Sequence, residues 1–546
     1  MKRRDFIKLS TTASAAALMP FDLNAMFESD ELKNCDFSNR KLILINLDGG
    51  NDGLNTIVPV NQYDIYSNLR PTIRVPESGL NKYISLDSGL AENQLVGLHP
   101  ILTDFKRLYD EGKMQIIQGV GYPSANKSHF TSSDMMMTGN DGNGWGNGKD
   151  SGWIGRYMEN MYASELGKDY PFAVQMGNVK NSLGFFGEHE HGMNMNITNQ
   201  DASGFYSIIN GLGGEAPKEI SKDSDFGIEL DYIVETDKLA NIYAGSISNA
   251  FNLGSNEASY PDTDLSNQLK TVARMIKGGL KSKIFMVRLK GFDTHAMQLE
   301  TGGNDVLGRH YLLLEELSGA IGAFMNDISS IGLEEDVMAI TYSEFGRKVA
   351  ENGNLGTDHG EIAPIFIFGN TIEGGMTGIN PDLNEAIEDN NWQIETIQHD
   401  YRSVFGTLLK DWMGGDAEVL DKTFYNHTTN TSFNDSTIDH LVKSSYKIDE
   451  GCSSGIEKNV FNSNESCTWF ASPNPFSNEL TLRNENDVHK IIVYVYNQSG
   501  QLVKVINTNY SNGNVRLELS ALSPGNYTLK IASDGRVLEV IKVVKR

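Results

Sequence analysis

Acidic and imidazole side chains recur at short, defined spacings along this sequence, three of the clusters just beyond a run of apolar residues and one just before such a run. Asp48 and Asp52 bracket Gly49-Gly50-Asn51, Asp293 and His295 flank Thr294, Glu344 follows Ser343, and Asp358 and His359 are adjacent. Glycine lets the first of these turns fold tightly enough to bring a carboxylate close to a ligand. Asp293 and His295, two apart, can converge on one ion where the chain bends. Carboxylate and imidazole together suit a borderline or hard divalent cation, with zinc, manganese and calcium all compatible. Ser128, followed by His129 and a helical stretch, stands where free amides and the helix dipole stabilise an anion or an ionised hydroxyl. Arg156 and Arg347 are planar five-donor cations able to clamp an anion.

The elements that must position these groups read as alternating strands and helices. Unbroken apolar runs at 41–47, 114–119, 171–176, 283–289, 337–342 and 364–369 predict strands of a parallel sheet covered on both faces. Helical periodicity is expected at 101–111, 230–251, 265–277, 305–331 and 401–413. Together they predict a doubly wound α/β domain with helices on both faces, whose site lies at the carboxyl ends of the strands. From about residue 429 the texture becomes Asn-, Ser- and Thr-rich, which predicts a linker over 429–470. Short alternating segments with turn signals then predict a small all-β sandwich over 471–546.

Composition narrows the function. Among 546 residues, 71 acidic against 46 basic side chains leave a formal charge of −25, which repels nucleic acid. With 24 Phe and 21 Tyr the chain has the apolar content for a large core. No run reaches the roughly 18 apolar residues of a membrane span. Three cysteines, Cys35, Cys452 and Cys467, make no disulfide framework or thiolate site, although the last two could close a small loop after oxidation. Glu188-His189-Glu190-His191 reads as a solvated loop, and Trp145 breaks the calcium-loop pattern begun by Asp141 and Asn143. There is no G-x-S-x-G elbow, no P-loop and no GxGxxG spacing.

Three resemblances extend this reading. Residues 1–30, with Arg3-Arg4-Asp5-Phe6-Ile7-Lys8 before an Ala-rich run, resemble a twin-arginine signal peptide. The tail, with Pro473-Asn-Pro-Phe476, Leu522-Ser-Pro-Gly-Asn-Tyr527 and a basic Lys545-Arg546 end, resembles the sorting domain of type IX secretion substrates. Residues 40 to about 415, within an α/β domain expected over 40–428, resemble the DUF1501 family, through Gly49-Gly-Asn-Asp-Gly-Leu-Asn-Thr56, Leu98-His-Pro100, Gly119-Val-Gly-Tyr-Pro123 and Lys127-Ser-His-Phe130. The resemblance continues with Gly152-Trp-Ile-Gly-Arg-Tyr157, Gly291-Phe-Asp-Thr-His295, Ser343-Glu-Phe-Gly-Arg347 and Gly356-Thr-Asp-His-Gly360.

That family looks like a branch of the alkaline-phosphatase and sulfatase superfamily. The resemblance implies one or two divalent ions and a hydrolase of phosphate or sulfate esters acting on a small-molecule or glycan ester. It implies Ser128 as nucleophile, with Gly139 in the place of the superfamily's Thr-Gly. Asp293, His295 and His359 would bind one metal and Glu344 the other. Asp52, or Asp48 in its stead, would be the first-strand ligand. Phe345 stands where a second-site histidine belongs, so either His129 substitutes, the second metal is absent, or Asp358-His359 supplies the pair. The sulfatase Cys/Ser-x-Pro-x-Arg signature is missing. The alternative is a non-catalytic surface protein that keeps a metal-stabilised fold. The signal and tail imply engagement of export machinery, periplasmic transit, and display on the surface or release.

Overall fold

The computed structural model describes residues 37–142, 151–162, 168–177, 183–185, 187, 196–197, 242–300, 307–424 and 436–449, and in the tail 470–472, 476–483, 490–497, 502–509, 514–533 and 536–546. The expected signal, the three cysteines, the 188–191 cluster and Trp145 lie outside them. Contacts divide the chain into one unit up to Ser453 and another from Ser454.

In the first unit a nine-stranded sheet comprises β1 Lys41–Asp48, β2 Met114–Gly121, β3 Ala173–Met176, β4 Asn196–Ile197, β5 Ile284–Lys290, β6 Val337–Tyr342, β7 Ala363–Phe368, β8 Gly375–Thr377 and β9 His399–Asp400. The spatial order is β8-β2-β7-β6-β1-β5-β3-β4, with β9 also beside β2. β1 lies between β5 and β6 and is parallel to both. β7 runs antiparallel to β6 and β2, so the sheet is mixed and not wholly parallel. The expectation of a parallel strand at 364–369 is thus corrected: an apolar run buried on both faces carries no mark of direction.

The helices used below are α1 Thr103–Asp110, α2 His129–Thr138, α3 Trp153–Met161, α4 Asp264–Lys277, α5 Arg309–Ser330 and α6 Tyr401–Asp411. The two-residue period of β1 sends Ile43, Ile45 and Leu47 into one apolar cluster with Phe105 of α1, Val272 of α4 and Leu314 of α5. Leu42 and Leu44 are equally buried and face the other way. On that second face Phe405 of α6 meets Tyr342 edge-on at 5.8 Å. Each such Leu or Ile stabilises the fold by about 1.5–3 kcal/mol through burial. α4 shows why its ends fall where they do. Thr263 caps the Ser266 amide, Asp264 sits in the first turn, and Arg274 and Lys277 sit in the last.

Part of the stretch expected as linker packs on this unit. Val442 pairs with Ile372, Leu441 is buried, and the Ile448 amide donates to the Asp411 carbonyl at 3.0 Å. Two well-placed apolar residues suffice to anchor a segment whose composition is otherwise polar. Only the described end, 242–253, of the expected 230–251 helix can be placed, and it is helical.

The second unit has two antiparallel sheets. One joins Phe470–Ser472, Glu479–Arg483 and Asn514–Glu518; the other joins Lys490–Asn497, Leu502–Asn509, Gly525–Ser533 and Arg536–Lys545. Their alternating residues, including Leu480, Leu482, Val493, Val495, Leu517 and Leu529, share one apolar core. The Tyr527 hydroxyl donates to the Ser523 carbonyl at 2.7 Å, a corner bond of the kind seen in β-sandwiches.

Candidate metal centre

β1, β5 and β6 end together because they are parallel and in register: Asp48 pairs with Lys290 and Asn46 with Tyr342. Three loops therefore open on one edge, carrying residues 49–52, 291–298 and 343–347. The chain can pack here only because Gly49 has no side chain. Its φ is +121°, and a Cβ would stand 2.3 Å from the Asp293 amide nitrogen. A short antiparallel ladder, Gly346–Arg347 against His359–Gly360, sets His359 opposite Arg347. α2 contributes its first residue, His129.

Asp293 is the point of convergence. The Nε2 atoms of His129, His295 and His359 lie 3.4, 3.3 and 3.3 Å from its carboxylate oxygens. In each imidazole the other nitrogen is held from behind. His129 Nδ1 is 2.8 Å from Glu344 Oε1, His295 Nδ1 is 3.0 Å from Asp358 Oδ1, and His359 Nδ1 is 2.7 Å from the Lys127 carbonyl oxygen. Carbonyl and carboxylate oxygens accept only, so Nδ1 carries a proton and Nε2 is the nitrogen left to face a cation. Backing of imidazole by carboxylate or carbonyl is how metal-ligating histidines are oriented.

The arrangement fits a cation. His295 Nε2 and His359 Nε2 face each other at 2.9 Å, two lone pairs in apposition. His129 Nε2 is buried and has no hydrogen-bond partner. Ligand atoms of His129, Asp293 and His359 all lie within 4.8 Å of one another, and His295 Nε2 adjoins that trio through His359 and Asp293. Phe345, 3% exposed, packs its ring 4.9 Å from that of His129 and 4.5 Å from that of His359.

Glu344 and Asp358 stand behind the imidazoles. Glu344, 2% exposed, also accepts from the Gly49 amide at 2.9 Å, and Asp358 from Asn352 Nδ2 at 3.1 Å. Burial alone would raise the Asp293 carboxyl, but the Arg347 guanidinium outweighs it and holds the group down at about 2. The bond to Glu344 raises His129, whereas burial lowers His359. Asp358 is lowered because its bonds to Asn352 and His295 outweigh desolvation.

Neither arginine is presented as an anion clamp. Arg347 is fully buried: Nε donates to the Gly50 carbonyl, Nη1 to Thr357, and Nη2 to Gly49, Phe292 and Asp293 Oδ1, the last at 2.8 Å. Its place is to position Asp293. Arg156 donates to the carbonyls of Thr423, Ser151 and Thr138, tying the end of α2 to α3. Asp52 does not join the cluster either. It is wholly buried, 2.6 Å from Arg70 Nη1 and 2.5 Å from Gln298 Nε2, and Arg70 overcomes burial to lower its pKa. Asp48 pairs with Arg288 at 2.5 Å. Gly139 closes α2 with a φ of 67°.

Ser128 is exposed at the N-cap of α2, and its hydroxyl makes no cap bond. It is bonded on one side to Lys127, whose carbonyl holds His359, and on the other to His129. Beside the cluster a cavity of about 600 Å³ is lined by His129, Asp293 and Glu344 together with Asp48, Asp134, Arg288 and several apolar side chains.

Sequence reasoning missed the layer behind Asp52. Arg70, Gln298, His310 and His99 have no mutual spacing that signals contact. Gln298 Oε1 accepts from Thr294 and Thr357, which ties this buried layer to the two loops that carry the imidazoles.

Residues 249–421 match the family described as protein of unknown function DUF1501. The matched segment spans α4, β5, α5, β6, β7 and α6, and contains Asp293, His295, Glu344, Arg347, Asp358 and His359; His129 lies upstream of it. Residues 472–546 match the secretion system C-terminal sorting domain. The tail addresses the protein to the type IX secretion machinery, hence to the cell surface or the medium. No helix among the described residues is long and apolar enough to cross a membrane.

The chain is also similar to solved structures. One is a protein in the alkaline phosphatase superfamily from Vibrio parahaemolyticus, at 9% identity, covering 93% of this chain and 80% of that one, with a TM-score of 0.31. Another is the PsFucS1 sulfatase from Pseudoalteromonas, at 11% identity, 88% and 84% coverage and a TM-score of 0.32. A third comes from work on glycosaminoglycan metabolism by Bacteroides thetaiotaomicron, at 9% identity, 86% and 89% coverage and a TM-score of 0.33. No curated protein matches the sequence.

Proposed function

We propose that the protein is an exported, metal-dependent hydrolase of phosphate or sulfate esters, carried to the periplasm by a twin-arginine signal before it reaches the surface. The observation that carries this reading is the convergence of three Nε2 atoms on Asp293, each imidazole pinned through Nδ1. His129, His295, His359 and Asp293 would hold one ion. Three imidazoles and one carboxylate favour zinc or manganese over calcium, which prefers an all-oxygen shell. When bound, such an ion supplies charge that stabilises the anion growing on the transferred group and lowers the pKa of an attacking oxygen.

The remaining work falls to the chain. Ser128, next in the chain to His129 and with a hydroxyl free of a capping bond, is the nucleophile in this reading. Its bond to phosphorus or sulfur forms as the ester bond to the leaving alcohol breaks, and the proton it gives up ends on that alcohol. Water then cleaves the covalent ester and restores the hydroxyl. Glu344 and Asp358 fix ring orientation, and Arg347 fixes Asp293.

Metal analysis of the purified chain tests the reading. One zinc or manganese per chain is expected, lost in His295→Ala and Asp293→Asn, together with turnover of a chromogenic phosphate or sulfate ester that Ser128→Ala abolishes while the metal stays. Bound metal without turnover of phosphate mono-, diester or sulfate panels would favour the non-catalytic surface protein.

A further inference from the structure

The cavity beside the cluster differs in character from the cluster itself. Met136 and Met137 of α2, 4% and 7% exposed, and Met286 of β5 form much of its wall, with Tyr342 at the end of β6. Methionine offers an adaptable, polarizable surface rather than directed hydrogen bonds. At the cavity edge Phe130, next in sequence to His129, is 76% exposed. A large ring held in water beside a catalytic cluster is a surface that gains by being covered.

Charge points the same way. Asp48, Asp134, Asp293 and Glu344 line the cavity against a single lining guanidinium, Arg288, which already lies 2.5 Å from Asp48. Arg347 offsets Asp293 and Lys348 offsets Asp358, so one divalent ion is balanced by Glu344 and a single transferred anion, leaving no positive surplus for further anionic groups. The formal charge of −25 adds a repulsive field. A volume of about 600 Å³ is that of a small-molecule pocket.

We infer that the cavity receives the alcohol side of the ester, and that this alcohol is uncharged and apolar or aromatic, so that the substrate is a singly esterified small molecule and not a polyanionic glycan. This rests on the hydrolase reading for the identity of the reacting bond, but the cavity's preference is measurable without turnover.

The experiment uses the full metal-loaded chain and umbelliferone, the aromatic alcohol released from umbelliferyl phosphate or sulfate, followed by its fluorescence. Umbelliferone is expected to bind and a heparin-derived oligosaccharide to leave it undisplaced. Phe130→Ala, at an exposed position, weakens umbelliferone binding roughly tenfold, and Phe130→Trp restores it. Tighter binding of the oligosaccharide, or umbelliferone affinity unchanged by Phe130→Ala, overturns the inference. Alcohol binding intact with no ester hydrolysed removes the hydrolase reading alone; efficient turnover of polysulfated glycans removes the cavity assignment alone.

Discussion

Arg347 occupies a cage of four carbonyls and one carboxylate, and its fixed fork matches them as no ammonium can. Arg347→Met would preserve volume yet strand Asp293 and the loop carbonyls. The expected cost is about 3–5 kcal/mol, read as a fall in the urea midpoint, with Arg347→Lys recovering only part of it. Behind the cluster, His310 Nε2 lies 3.2 Å from Asn51 Oδ1, and its ring meets that of His99 edge-on. Burial drives His99 from the ordinary 6.5 down to about 3 and His310 to about 4. The unfolded chain therefore takes up protons below 6.5 that the folded chain refuses. Stability present above that pH is lost as it falls towards about 4, by on the order of 2 kcal/mol per histidine. Denaturation midpoints compared at neutral and mildly acidic pH should drop for the wild type, and the drop should shrink in His99→Gln. A pH-independent midpoint would show that these rings are not buried neutral.

At the scale of elements, the loops matter more than the strands that carry them. Gly49→Ala would place a methyl group 2.3 Å from the Asp293 nitrogen in a backbone conformation that alanine resists. Loss of ion affinity and a lowered melting temperature are expected together, whereas unchanged ion binding would mean the loops give way. The sequence made the strands legible because unbroken apolar runs such as that of β1 have few other uses in a chain this size. The direction of β7 was not legible, since burial on both faces erases it. Asp293 and His295 were visible as an acid and imidazole cluster after a strand, and His359 beside Asp358 just before one. The pairing of Arg347 with His359 was invisible, because a ladder of two residues per strand leaves no period to read. Asp52 looked like a ligand from its glycine-rich turn, yet its partner Arg70 lies 18 residues on, at no spacing that reveals a buried pair. His129 was weighed only as a substitute, because nothing local says which nitrogen Glu344 holds.

For the whole molecule, the tail is an address and forms a unit with its own core. Removing residues 472–546 is expected to leave the protein in the periplasm, measured by fractionation and surface proteolysis; continued appearance at the surface would deny the tail that role. The three imidazoles also come from stretches of chain that meet only after folding: the start of α2, the loop after β5, and the ladder before β7. A cation seated among them would act as a clasp across more than two hundred residues of sequence. It would bind the folded form and spare the open one, so that resistance to heat and proteases rises with free ion concentration. A protein that leaves the cell for surroundings where proteases are abundant and the ion supply varies would then have its lifetime set by the same chemistry that makes its centre reactive.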